Sequence, residues 1–225
     1  MPTHFTAGVS DVIPGNPLYE LGRLDPTKYY IFWDDFVHPQ LATEWSITLV
    51  GTSTLTFPDA GDGISRITTD VAENEGVWVE TLNETFLLAS GRKTWLKTRI
   101  QVGDAIESDW VVGLHSTSAT PQAATMRFLF ESVDGSATVH FNNDNNTADT
   151  DSATLVTMTD DAFVTLAAYY DGATTIELFA NDARVDIMTG ITVPAAEMGV
   201  GFGYINGAAG AETADVDYVL VVQER

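Results

Sequence analysis

Chemistry in this chain would have to come from carboxylates, histidines and aromatic rings, because its 225 residues include no Cys. A thiolate nucleophile, a Cys-ligated zinc and a disulfide scaffold are thereby excluded. Two carboxyl groups about 5 Å apart can cleave a glycosidic bond, one as nucleophile and one as acid, and alternate residues of one strand would aim both at one cleft. The nearest arrays are Glu73, Glu75, Glu80 and Glu84 around Trp78, and Asp215 with Asp217. Leu82-Asn83 reads as a turn between Glu80 and Glu84, so these arrays are expected to be solvated faces and turn caps. The histidines His4, His38, His115 and His140 fall in unrelated segments, with no Gly-x-Ser-x-Gly elbow or His-Glu-x-x-His helix beside them. No catalytic residue is assigned, and no enzymatic activity is expected.

Binding is better provided for. Asp59, Asp62, Asp144, Asp149 and Asp151 lie in loop-like sequence and are the candidates for an oxygen-ligated calcium ion, although no cofactor is required. Trp45, Trp78 and Trp110 are either a stacking face for sugar rings or, more simply, core residues. Four of the ten Lys and Arg residues fall between Arg92 and Arg99. On a strand from Thr94, side-chain alternation puts Lys93, Trp95, Lys97, Arg99 and Gln101 on one face and Leu96, Ile100 and Val102 on the other. That basic face is either balanced by carboxylates of neighbouring strands or makes an electrostatic contact between subunits.

The elements that must position these residues are short strands. From Tyr29 onward, apolar and polar residues alternate in runs of five to nine broken by Gly, Asn and Asp, with almost no helical stripe. Strands are expected over 45–57 (two, around Gly51), 64–69, 76–81, 94–102, 110–115, 126–131, 137–142, 163–170, 174–180, 200–205 and 214–222. Asp62-Gly63, Asp134-Gly135, Asp171-Gly172 and Asn206-Gly207 supply turns with positive φ. Residues 142–151 read as an exposed polar loop. The pattern gives an all-β, two-sheet antiparallel sandwich over 29–225. Residues 1–28 hold half of the eight prolines and read as an extended arm. Its apolar residues Phe5, Val12, Ile13, Leu18, Tyr19 and Leu21 want a surface, either on their own domain or on a neighbouring subunit.

A net charge of −22 and a pI near 4.1 set the field around the molecule. Such a chain repels phosphate backbones and anionic membranes, so neither nucleic acid nor membrane is an expected partner. No apolar run reaches the ~20 residues of a membrane span. The start, Met1-Pro2-Thr3-His4, lacks the basic and apolar regions of a signal peptide, so synthesis in the cytoplasm without export is expected.

The segment from Phe163 to Val185, a strand, an Asp171-Gly172 turn, a strand, an Asn181-Asp182 turn and a strand, resembles the meander of the concanavalin A-like (laminin-G, lectin and glucanase) jelly roll. Trp78 to Thr81, Lys97-Thr-Arg-Ile-Gln-Val102 and Trp110-Val-Val-Gly-Leu114 look like that family's inner-sheet strands, and Ala214 to Val221 like its closing strand. The glucanases of the family carry Glu-x-Asp-x-x-Glu on one strand, and this chain has no such motif. Tyr29-Tyr-Ile-Phe-Trp-Asp-Asp-Phe36 after a Pro-rich arm is similar to small tailed-phage capsid decoration (cement) proteins built on this jelly roll. The resemblance implies a non-enzymatic virion protein on the capsid exterior, made in the host cytoplasm, whose partners are the major capsid protein and further copies of itself as a dimer or trimer. The alternative it implies is a carbohydrate-binding, lectin-like module or a receptor-binding domain of a phage fibre.

Overall fold

The computed structural model describes residues 25–39, 43–58 and 63–225. The arm residues Phe5, Val12, Ile13, Leu18, Tyr19 and Leu21, and the loop residues Asp59 and Asp62, lie outside that range. In chain order the strands are β1 (Tyr29–Asp34), β2 (Trp45–Val50), β3 (Thr54–Thr56), β4 (Ser65–Thr68), β5 (Gly76–Thr81), β6 (Thr94–Val102), β7 (Ser108–His115), β8 (Met126–Ser132), β9 (Thr138–Asn145), β10 (Asp149–Asp151), β11 (Val156–Thr157), β12 (Val164–Tyr170), β13 (Thr175–Ala180), β14 (Ala183–Thr189), β15 (Gly199–Asn206) and β16 (Thr213–Glu224). They form two antiparallel eight-stranded sheets. Sheet I runs β14-β13-β12-β6-β16-β4-β3, with β1 also on β16; sheet II runs β10-β9-β8-β7-β15-β5-β2, with β11 on β9.

Alternation decides which side chains meet between the sheets. Leu96, Ile100, Val216, Val219 and Val221 from sheet I pack with Val77, Val79, Trp110, Val112, Phe128, Phe130 and Phe141 from sheet II in one buried cluster. Each such side chain contributes roughly 1.5 to 3 kcal/mol on burial. Trp45 is in this core, and its indole N–H donates to Asp34 Oδ2 at 2.8 Å, tying the end of β1 to the edge of sheet II.

Three expectations need correction. Residues 142–151 are not a loop: β9 continues to Asn145 and pairs with β10, leaving residues 146–148 as the turn. Both faces of this hairpin are polar, so no alternation marks it in the sequence. Thr94–Val102 belongs to sheet I, opposite β5 and β7 rather than beside them. Gly63, Gly135 and Gly172 take the positive φ expected of the Asp-Gly turns, but Gly207 does not. There the fixed residue is Asn206, fully buried, whose Nδ2 donates to the Ala72, Ala208 and Gly210 carbonyls while its Oδ1 accepts from Glu75 N–H.

Candidate functional site

The outer face of sheet II is a grid whose rows follow from the strand registers. One row reads Gly199, His115, Arg127, Asp144, Asp149. The next reads Ser46, Glu80, Gly201, Gly113, Leu129, Asn142, Asp151. The third reads Thr48, Trp78, Gly203, Val111, Glu131, His140. Trp78, Val111, Leu129 and Ile205 form a small apolar cluster on this face. Glycines make room for it: a Cβ on Gly203 would sit 2.2 Å from the Trp78 ring, and one on Gly201 2.0 Å from His115 Nε2.

The chain covers the middle of this face itself. Residues 116–125, between β7 and β8, fold back over it, and their single 3-10 turn (Pro121–Ala123) lies against β7 and β15. Among the hydrogen bonds that hold the segment are Thr117 N–H to Glu84 Oε1 (2.6 Å), Ser118 N–H to Glu80 Oε2 (3.2 Å), Gln122 Nε2 to Asp109 Oδ1 (3.1 Å) and Arg127 Nη1 to the Gln122 carbonyl (2.7 Å). Glu80 and Glu84 therefore cap backbone N–H groups. Burial lowers the pKa of His115, which stays neutral, so its 4.0 Å approach to Glu80 is not an ion pair.

Beyond the segment, acids gather around Arg127. Its Nη2 donates to Asp144 Oδ2 (3.0 Å) and Asp149 Oδ2 (2.9 Å), and its Nη1 is 3.9 Å from Glu131 Oε2. Asn142 Nδ2 donates to Asp149 Oδ1 (2.7 Å) and Asp151 Oδ1 (2.8 Å). Burial first, then the charges of Asp151 and Asp149, push the Glu131 carboxyl up to about 7 against the pull of Arg127. Three calcium candidates thus meet here, but held by a guanidinium and an amide. Among the described residues no group of three His, Asp or Glu side chains is arranged to hold a metal ion. Arg127, Glu131 and Asn142 escaped the sequence reading; the signal was the two-residue spacing of Arg127, Leu129 and Glu131 on β8.

Trp45, Trp78 and Trp110 are all buried, so none offers a stacking face. Among the described residues the exposed aromatics lie elsewhere, on opposite faces of β1: Trp33 is 51% exposed on the outer face of sheet I and stacks on Tyr218, and Tyr30, on the same side as Phe32, is 42% exposed beneath the Arg225 guanidinium. Pro26, Tyr29, Tyr30, Phe32, Phe86 and Arg225 line a cleft of about 360 Å³ there.

Sheet I also carries the basic stripe, with the alternation expected. Lys97 pairs with Asp182 (2.7 Å), Arg99 with Asp217 (2.6 Å), Lys93 with Glu224 (3.7 Å), Arg66 with Asp215 (2.6 Å) and Arg184 with Glu177 (2.9 Å). Eight of the nine described Lys and Arg residues belong to sheet I strands or their ends, Arg127 being the exception.

Solved structures decide the class of this arrangement. A carbohydrate recognition domain of Emp47p matches with a TM-score of 0.61 and 11% identity, over 88% of this chain and 98% of that one. A Bacillus licheniformis β-glucanase matches at 0.62 and 11%, over 86% and 97%. The fold is a concanavalin A-like jelly roll. A Shewanella oneidensis protein of unknown function shares this jelly roll at 0.61 and 12%, over 88% and 87%. No protein-family model and no curated protein matches the chain.

Proposed function

We propose that this jelly roll is a non-catalytic external structural protein of a viral capsid, a decoration module that docks on the major capsid protein through the outer face of sheet I. The observation that carries this reading is where the exposed aromatics lie. The outer face of sheet II is filled by residues 116–125, whereas Ile31 and Trp33 stand exposed on the outward side of β1, Trp33 stacked on Tyr218. Trp, Tyr and Arg are the residues that anchor protein interfaces. Sheet I is also where the cations are concentrated, so it is the face that an acidic lattice or a further acidic copy repels least. Co-sedimentation with undecorated capsids tests this. The wild-type chain should bind and Trp33→Ser with Ile31→Ser should not; failure of the folded wild-type chain to bind would overturn the reading.

The second reading is a carbohydrate-binding module, favoured by the similarity to a domain named for carbohydrate recognition and to a β-glucanase. Glycan-array binding that is lost when the outer face of sheet II is altered, with Trp33→Ser harmless, would replace the first reading by this one.

A further inference from the structure

Sheet I leaves edges open at β14, at β3 and at β1, which shares one side of β16 with β4. β14 carries Arg184 and Asp186 beside a bulge, and β3 is three residues long; both features keep an edge from pairing. β1 has neither, since Tyr29 to Trp33 is an unbroken run without charge in a chain of net charge −22. Backbone alternation fixes which of its groups are open. Arg225 N–H donates to the Lys28 carbonyl (2.9 Å), so Tyr30, Phe32 and Asp34 turn their N–H and C=O to β16, while Tyr29, Ile31 and Trp33 turn theirs away. The Tyr29 N–H donates to the Asp25 carbonyl, and the Tyr29 carbonyl accepts from Arg225 Nε. Those of Ile31 and Trp33 meet no partner among the described residues. Beside this edge, Tyr29 to Phe32 line a cleft of about 360 Å³ whose other residues include Thr85 and Phe86, so a strand laid along β1 finds room.

We propose that β1 is the pairing edge of a symmetric dimer, in which β1 of a second copy lies antiparallel to it about a two-fold axis through Phe32, normal to the sheet. Such an axis keeps every side chain on its own face and sets Ile31 opposite the partner's Trp33. Ile31 N–H then donates to the carbonyl of the partner's Trp33, and the Ile31 carbonyl accepts from the N–H of the partner's Trp33. The axis repeats both bonds, so the open groups of Ile31 and Trp33 on both strands are used. Centring on Ile31 instead would send Trp33 to Tyr29, whose groups are taken, and centring on Trp33 would send Ile31 to Asp35, beyond the strand. The register through Phe32 also brings Asp35 opposite the partner's Tyr29, next to the partner's Lys28 and Arg225. Opposite charges therefore meet at both ends, where parallel pairing would set like beside like. On the outer face the isoleucine meets an indole, a favourable cross-strand pair. The dimer forms without a capsid and stands apart from the capsid reading, although it would leave both outer faces of sheet I on one side.

The test is sedimentation of the full chain over a concentration series, beside two variants. Ile31→Pro removes the N–H that faces the open side and leaves the bonds to β16 intact, whereas Ile31→Thr keeps that N–H and loses the apolar surface. The wild-type chain and Ile31→Thr should dimerise as concentration rises, and Ile31→Pro should stay monomeric with a melt within a few degrees of wild type. Equal loss of the dimer in both variants would overturn the proposal, because apolar contact alone would then explain the association. A wild-type chain that is monomeric throughout would overturn it too, and a melt lowered by Ile31→Pro in that monomer would give the edge to the chain's own residues 1–24. Were Ile31→Pro to unfold, hydrogen exchange of the wild-type chain would decide. The Ile31 and Trp33 amides should be protected at high concentration and exchange freely at low, and exchange independent of concentration would sink the dimer.

Discussion

Glu131 and Asn206 are the two side chains whose surroundings carry the clearest consequences at the scale of single residues. The folded chain holds the Glu131 proton more tightly than the unfolded chain, because burial raises its pKa from 4.5 to about 7. The stability this contributes is therefore complete below the unfolded value and is lost as pH rises through the folded one. Urea unfolding should show Glu131→Gln gaining about 2 to 3 kcal/mol on wild type near pH 8, with the two converging near pH 4. Parallel curves would mean that the carboxyl is solvated. Asn206 acts through shape: one buried amide meets three carbonyls and one N–H from two loops. Asn206→Ala strands those groups and should cost about 2 to 4 kcal/mol in chemical denaturation, where a surface change costs about 0.5. The sequence suggested only a turn at Asn206-Gly207, because an Asn-Gly pair looks the same whether the amide is solvated or buried.

Among the elements, β15 shows how one strand sets the floor of a face. Gly199, Gly201 and Gly203 alternate outward while Val200, Phe202 and Tyr204 point into the core. Gly203→Ala would drive a methyl into the Trp78 ring and the Val77 carbonyl, and should lower the melting temperature by an amount equivalent to about 1 to 3 kcal/mol. A neutral effect would show that Trp78 can swing away. The alternation that placed Lys97 and Arg99 opposite Leu96 and Ile100 was legible because one face of β6 is apolar. The β9–β10 hairpin was hidden because Asn142, Asn143, Asp144 and Asp149 to Asp151 are polar on both faces. The exposure of Trp33 was hidden for the converse reason: Tyr29 to Trp33 is apolar on both faces, so parity could not say which side met water.

For the whole molecule, the jelly roll was readable from strand spacing and turn chemistry, whereas its use depends on which face is left open. That depends on residues 116–125, whose path over sheet II is fixed by contacts to Glu80 on β5, Glu84 in the loop after it and Asp109 on β7. The ion pairs of sheet I are mostly half-exposed, so each adds at most about 1 kcal/mol of stability. Lys97→Gln with Arg99→Gln, which remove the charges without setting new carboxylates against Asp182 and Asp217, should accordingly leave the melt within a few degrees of wild type, yet reduce attachment to capsids and any association between copies, the loss being greatest at low salt. Binding unchanged from low to high salt would return both residues to a purely structural role.

The gathering of Lys and Arg on sheet I also gives the molecule an electric moment, its negative pole on the sheet II side. In the field of a broad anionic surface such a body feels a torque before it feels a contact. It would turn sheet I inward while still a Debye length or so away, about 8 Å in physiological salt. Collisions that begin with the wrong side forward would then be corrected during approach, and copies arriving one after another on the same surface would all come to rest facing the same way.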